Sequence, residues 1–159
     1  MDTKFNIPAD RETTGVLSML YGDGLVVKKA EENPSIENDA LVGLFVDSEG
    51  NTVAACTCDV PFAAYGGAAL SMMPKGGAED AAESGEISPV MQENVYEVMN
   101  ICSRLLMNDS TPHLKLTDMY EGLDKVPEEA VEVIKNASGV KFEVEIPNYG
   151  KGHLSIVTL

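Results

Sequence analysis

Four polar residues recur at helical spacing within the run Glu93-Asn94-Val95-Tyr96-Glu97-Val98-Met99-Asn100-Ile101-Cys102-Ser103-Arg104. Glu93, Glu97, Asn100 and Arg104 step by four, three and four, so one helix would carry two carboxylates, a carboxamide and a guanidinium on a single stripe. Every amphipathic helix needs a solvated side, and periodicity alone is met by that ordinary account. Two details depart from a face built only for stability. Glu93 and Glu97 are like charges at a spacing where they repel, and Asn100 is a poor residue for a helix interior, each at a penalty of a few tenths of a kcal/mol. The other reactive side chains point to packing. Cys56 and Cys58 share one side of a strand among Ala54, Ala55 and Val60, and Cys102 falls on an apolar stripe, as small buried thiols do. His113 and His153 stand far apart with no ligand pattern around them, so neither a zinc or iron site nor a Ser/His/Asp or Cys/His catalytic group can be assembled. Tyr65-Gly66-Gly67 lacks the spacing and the Lys of a phosphate-binding loop.

The helix that presents the stripe is the clearest element of the chain. Ser88 caps it, Pro89 takes the first helical position, and Met91, Val95, Val98, Cys102 and Leu105, widened by Met99 and Leu106, form its apolar side as far as about Met107. Around it the pattern predicts a helix over Asp10–Tyr21 capped by Asp10 and a strand over Leu25–Ala30. A hairpin of Ala40–Val46 and Thr52–Val60 turns at Asp47-Ser48-Glu49-Gly50-Asn51. Phe62–Met73 reads as an Ala/Met-rich helix interrupted by Gly66-Gly67. The small acidic stretch from about residue 75 to 87 reads as a mobile loop. Leu114–Leu116 is a short strand, and Pro127-Glu128-Glu129 opens a helix closed by Gly139. A terminal hairpin follows, in which Val140, Phe142, Val144 and Ile146 alternate with Lys141, Glu143 and Glu145 before the strand His153–Leu159. Helices mixed with antiparallel pairs in 159 residues make one α+β domain spanning residues 1–159.

Composition narrows the partners. Asp and Glu number 26 against 11 Lys and Arg, a net charge of −15, which repels nucleic-acid phosphates and anionic membrane surfaces. No apolar run reaches the ~18 residues of a membrane span, the N-terminus lacks a signal-peptide pattern, and three cysteines argue against a disulfide framework, so the expected location is the cytoplasm.

From Glu93 to Asn100 the sequence resembles the CheC/CheX family of response-regulator phosphatases, whose signature is a helix carrying Glu-x-x-Asn with a Ser or Asp four residues before the Glu. Glu97 and Asn100 match that signature, and Glu93 stands where the family has Ser or Asp. The order of elements is similar as well: an N-terminal helix, the hairpin between Ala40 and Val60, the helix ending Ala69-Leu70-Ser71-Met72-Met73, the acidic stretch, the motif helix and a closing hairpin from Val140 to Leu159. The likeness covers most of the chain as element order, with few identities. Ser103 occupies a position where the family commonly has Gly, Thr117-Asp118-Met119 stands where it has a Pro opening a strand, and the connection Asn108–Pro112 is short. A single copy of the motif is closer to CheX than to the two-site CheC arrangement.

The resemblance implies an antiparallel sheet with two long helices packed on one face, and a homodimer. It implies hydrolysis of the aspartyl phosphate on a receiver domain (CheY-like) that brings its own Mg²⁺ and Lys, leaving this chain without a cofactor of its own. Asn100 would orient the attacking water, and Glu97, one turn away, would pair with the receiver's Lys. Glu93 and Arg104 would contribute to partner binding. The alternative is a catalytically inactive scaffold that docks a signalling partner through the same face, favoured by Glu93, Ser103 and the altered Pro region. A small-ligand sensor built on the Met/Ala-rich segment has only composition behind it.

Overall fold

A computed structural model describes residues 5–34 and 36–159. In chain order the elements are α1 (Asp10–Tyr21), β1 (Val26–Lys29), β2 (Leu41–Val46), β3 (Thr52–Cys58), α2 (Val60–Leu70), α3 (Lys75–Ser84), α4 (Pro89–Leu106), β4 (Lys115–Tyr120), α5 (Glu128–Lys135), β5 (Ser138–Ile146) and β6 (Gly150–Thr158). The six strands form one antiparallel sheet in the order β1-β5-β6-β3-β2-β4. The α+β class with an antiparallel sheet agrees with the sequence reading.

Helices α1, α2 and α4 lie on one face of the sheet, and their shared core joins Leu17, Phe62, Val95, Val98, Met99 and Cys102 to Phe45, Cys56, Phe142 and Leu154. The opposite face is also covered. Ala130 and Ile134 of α5 pack on Val42, Leu44, Ala55 and Val157. β2 shows why both coverings are needed. All six of its residues are buried, and an unbroken apolar strand requires a cover on each side. β5, by contrast, buries only Val140, Phe142, Val144 and Ile146, as its alternation requires.

The stretch from about residue 75 to 87 is not a loop. Residues Lys75–Ser84 form α3, which seats Ala78 and Ala81 against Ala64 and Ala68 of α2. Small residues at helical spacing give it a narrow apolar side, and Gly85, at φ 79°, closes it in the left-handed conformation. Two caps also differ from expectation. Asp10 lies in the first turn of α1, where its charge meets the helix dipole, while Glu12 Oε1 accepts from the Ala9 amide at 3.2 Å. α5 ends earlier, at Asn136, whose side chain donates to the Glu132 carbonyl at 2.8 Å, and Gly139 instead belongs to β5, against the backbone of Ile156 in β6.

The strands of both hairpins have neighbours on each side, so the sheet borders are β1 and β4. Each border is blunted against edge-to-edge pairing. β1 is only four residues long and ends in Lys28-Lys29, and β4 carries Lys115, Asp118 and a bulge where its register to β2 breaks between Gly43 and Phe45.

Candidate functional site

The sequence of α4 settles its orientation. Ser88 Oγ accepts from the Met91 amide at 3.3 Å, Pro89 follows the cap, and Met91, Val95, Val98, Met99, Cys102, Leu105 and Leu106 are all buried. Two close approaches seat it. Gly67 of α2 has no side chain, and a Cβ there would lie 2.8–3.0 Å from the backbone and Cβ of Met91. Gly43 of β2 likewise leaves room for Met99. Asn94 ties the same turn to α2, donating to the Gly67 carbonyl at 2.8 Å and to Ser71 Oγ at 2.7 Å. These contacts explain Gly67 inside α2, which propensity alone disfavours, and Gly66 leaves room for the Tyr21 hydroxyl, which donates to its carbonyl at 3.1 Å.

With that side buried, Glu93, Glu97, Asn100 and Arg104 are all exposed on the other, as their spacing predicts. α3 packs on α2 and leaves them uncovered. Among the described residues, no side-chain hydrogen bond or ion pair engages Glu93, Glu97, Arg104 or the Asn100 amide, so their polar atoms are free to meet a partner. Ser103 is buried and turns its hydroxyl back to the Asn100 carbonyl at 2.7 Å, satisfying itself within the helix.

Beside the stripe runs an open groove of about 680 Å³ between α4 and the border strand β4. Glu93, Tyr96 and Glu97 line one wall, and Thr117, Asp118 and Met119 the other. Asn100 stands one turn beyond Glu97 on the same exposed stripe. Tyr96 crosses to β4 and donates to the Thr117 carbonyl at 3.4 Å, and Gln92 bridges the Ile87 carbonyl, at 2.9 Å, and Glu121 Oε1, at 2.5 Å. In the sequence Thr117-Asp118-Met119 stands out only as the stretch where the family has Pro; its place opposite α4 depends on the bulge that sets Thr117 and Asp118 together opposite Leu44.

The remaining reactive residues lie outside the groove. Cys56, Cys58 and Cys102 are free and buried in the core. A hydrogen bond that the Cys56 thiol donates to Cys102, with burial, pushes Cys56 well above its ordinary range, and burial does the same for Cys58. Asp59 caps α2 by accepting from the Phe62 amide at 2.9 Å, and it also accepts from the His153 amide at 2.9 Å and lies 2.9 Å from His153 Nδ1. His113 is exposed near the β2–β3 turn. Among the described residues, no group of three or more His, Cys, Asp or Glu is placed to hold a metal ion. No described helix is long and apolar enough to cross a membrane.

Sheet order and helical layers make an α+β fold that solved structures share. No family model matches the sequence, and no curated protein resembles it closely enough to be matched. Solved structures match by shape. A chain of the FliG–FliM complex from H. pylori aligns with a TM-score of 0.58 at 9% identity, covering 94% of this chain and 85% of that one. FliY from Thermotoga maritima aligns with a TM-score of 0.56 at 16% identity, covering 95% and 84%. A chain of the CheX–CheY complex from Borrelia burgdorferi aligns with a TM-score of 0.43 at 11% identity over 91% of each chain, too low a score to add to the other two.

Proposed function

We propose that this chain is a response-regulator phosphatase of the CheX/CheC kind, acting in two-component or chemotaxis signalling on the aspartyl phosphate of a receiver domain. The observation that carries the reading is the placement of Glu97 and Asn100: both exposed, one helical turn apart, on a helix whose other side is wholly buried. At that spacing the two side chains lie about 5–6 Å apart and can enter one shallow site together. The Asn100 carboxamide can donate to and accept from a water, holding it in line with the P–O bond. Glu97 pairs with the receiver's Lys and sets the docking register. The water oxygen bonds to phosphorus, the bond to the aspartyl oxygen breaks, and inorganic phosphate leaves. The receiver supplies Mg²⁺, so positioning is most of what this chain contributes.

The test is loss of phosphate from a phosphorylated receiver of the same genome. Addition of the protein accelerates the loss, and Asn100→Ala removes the acceleration while leaving the circular dichroism spectrum unchanged and the melting temperature no lower, since Asn100 makes no side-chain contact that holds the fold and Ala is the better helix former. If no receiver loses phosphate faster at high protein concentration, the enzyme reading is wrong.

A second reading is a scaffold that docks a signalling partner through the same face without turnover. Glu93 favours it by adding negative charge at the rim of a site meant for a phosphoryl group. The fold likeness to a chain solved within a FliG–FliM complex is in keeping with a protein-binding role. Under this reading a partner is captured, yet Glu97→Ala and Asn100→Ala change no rate. Location in the cytoplasm and assembly as a homodimer belong to the same proposal, the latter measured by sedimentation equilibrium.

A further inference from the structure

Among the described residues, every charged side chain that lines the groove between α4 and β4 is acidic: Glu93 and Glu97 on the helix wall and Asp118 on the strand wall. Between them lie the apolar surfaces of Tyr96 and Met119. Thr117, Asp118 and Met119 follow one another along the strand wall, at the bulge opposite Leu44. The bulge interrupts the free edge of β4, so a visiting chain cannot simply extend the sheet there. A ligand of the groove must therefore be held by side chains.

We propose that this groove seats an extended, lysine- or arginine-bearing segment of the protein partner, with an apolar or aromatic residue on Tyr96 and Met119 and cations against Glu93 and Asp118. The charge complementarity is one-sided. Acid lines both walls, and the whole chain carries −15, so approach of a basic segment is steered from a distance. This rests on the reading of α4 as the face that meets a receiver domain. It gives Glu93 a role beside that centre, which is affinity for the partner's flank.

The experiment titrates the isotopically labelled full chain with a ten-residue lysine-rich peptide holding one central aromatic residue, and with a glutamate-rich peptide of equal length. The expected result is amide shift changes confined to Gln92–Glu97 and Thr117–Met119 for the basic peptide alone. Affinity should weaken about 2–5-fold in Glu93→Gln and in Asp118→Asn, and about tenfold in Asp118→Lys. Shift changes scattered over the acidic surfaces of α3 and α5, or an unchanged affinity in Asp118→Lys, overturn the proposal. So do concentration-dependent shifts at Thr117–Met119 without peptide, which would show that a second copy occupies the groove. A phosphorylated receiver separates the two readings. A peptide that binds in the groove while no receiver binds or turns over refutes the phosphatase and leaves the groove standing. A receiver that turns over normally with Asp118→Lys, at unchanged KM and salt dependence, refutes the groove and leaves the phosphatase.

Discussion

Alanine placed at two glycines of neighbouring helices should move stability in opposite directions. Gly67 lies in α2 where it crosses α4, and a Cβ there would meet the Met91 carbonyl oxygen at 2.8 Å, its Cβ at 2.9 Å and its Cα at 3.0 Å. Two of those atoms are backbone, so relief requires the helices to separate. Overpacking of this kind costs about 1–3 kcal/mol, against about 1 kcal/mol gained from replacing Gly by Ala inside a helix. The net expectation for Gly67→Ala is a loss of up to about 2 kcal/mol, or up to about 4–8 °C in melting temperature for a domain of this size. Gly77 lies in α3, exposed, with nothing within 4 Å of its missing Cβ. There the helix gain stands alone, and Gly77→Ala should stabilise by about 0.5–1 kcal/mol. Urea and thermal unfolding followed by circular dichroism read both signs. In Gly67→Ala the amides of Glu97 and Asn100 should also shift, because the displaced helix carries them. A stabilising Gly67→Ala would refute the close crossing of α2 and α4. A Gly77→Ala without effect would return residues 75–84 to the loop that their composition suggests.

Burial is the chief cause that raises the pKa of Asp39 above its ordinary 3.8, opposed by the hydrogen bond from Thr57 Oγ1 at 2.5 Å. The folded state therefore keeps that proton to higher pH than the unfolded chain does. Stability falls as pH rises through the interval between the two values, and the burden persists at neutral pH. Asn keeps an acceptor for Thr57, so Asp39→Asn should be more stable than the parent at pH 7, with the gain vanishing below pH 3.8; an advantage that grows on acidification would contradict this sign. The three thiols, all at 0% exposure, should resist a disulfide exchange reagent in the native protein and titrate as three equivalents in denaturant. Prompt reaction of any one would show that the core beneath α4 opens.

Much of this fold is written locally. α4 and β5 were legible because each has one dry and one wet side, so apolar residues recur at the period of the element itself. The two hairpins were legible because their turns close short loops. α3 was not, since its buried side consists of alanines, and alanine among Gly, Glu and Asp resembles an acidic loop until Ala64 and Ala68 are seen opposite. The cover of β2 was half legible. The unbroken run Leu41–Val46 calls for burial on two sides, but only tertiary structure shows that α5 supplies the second. β1 pairs with β5, matching Val26 to Glu145 and Lys29 to Phe142, a juxtaposition for which local pattern carries no signal. For the site, spacing placed Glu93, Glu97, Asn100 and Arg104 on one face correctly. The facing wall of Thr117–Met119 depends on a two-against-one register that sequence periodicity cannot express.

The energetics of α4 bear on what its outer face is for. Seven apolar side chains of this helix are buried, and each contributes about 1.5–3 kcal/mol on full burial. The repulsion between Glu93 and Glu97 costs about 0.2–0.5 kcal/mol, an order of magnitude less than the packing beneath it. The helix is therefore held by its inner side, by the Ser88 cap and by the contact at Gly67, and its outer composition is nearly free of stability constraints. A carboxylate pair that mildly opposes the helix needs no compensation there, and it also gains nothing for the fold. Stability thus accounts for the buried stripe and asks of the exposed one only that it be solvated, so two acids and a carboxamide can stand there for the proposed binding role at little cost to the fold.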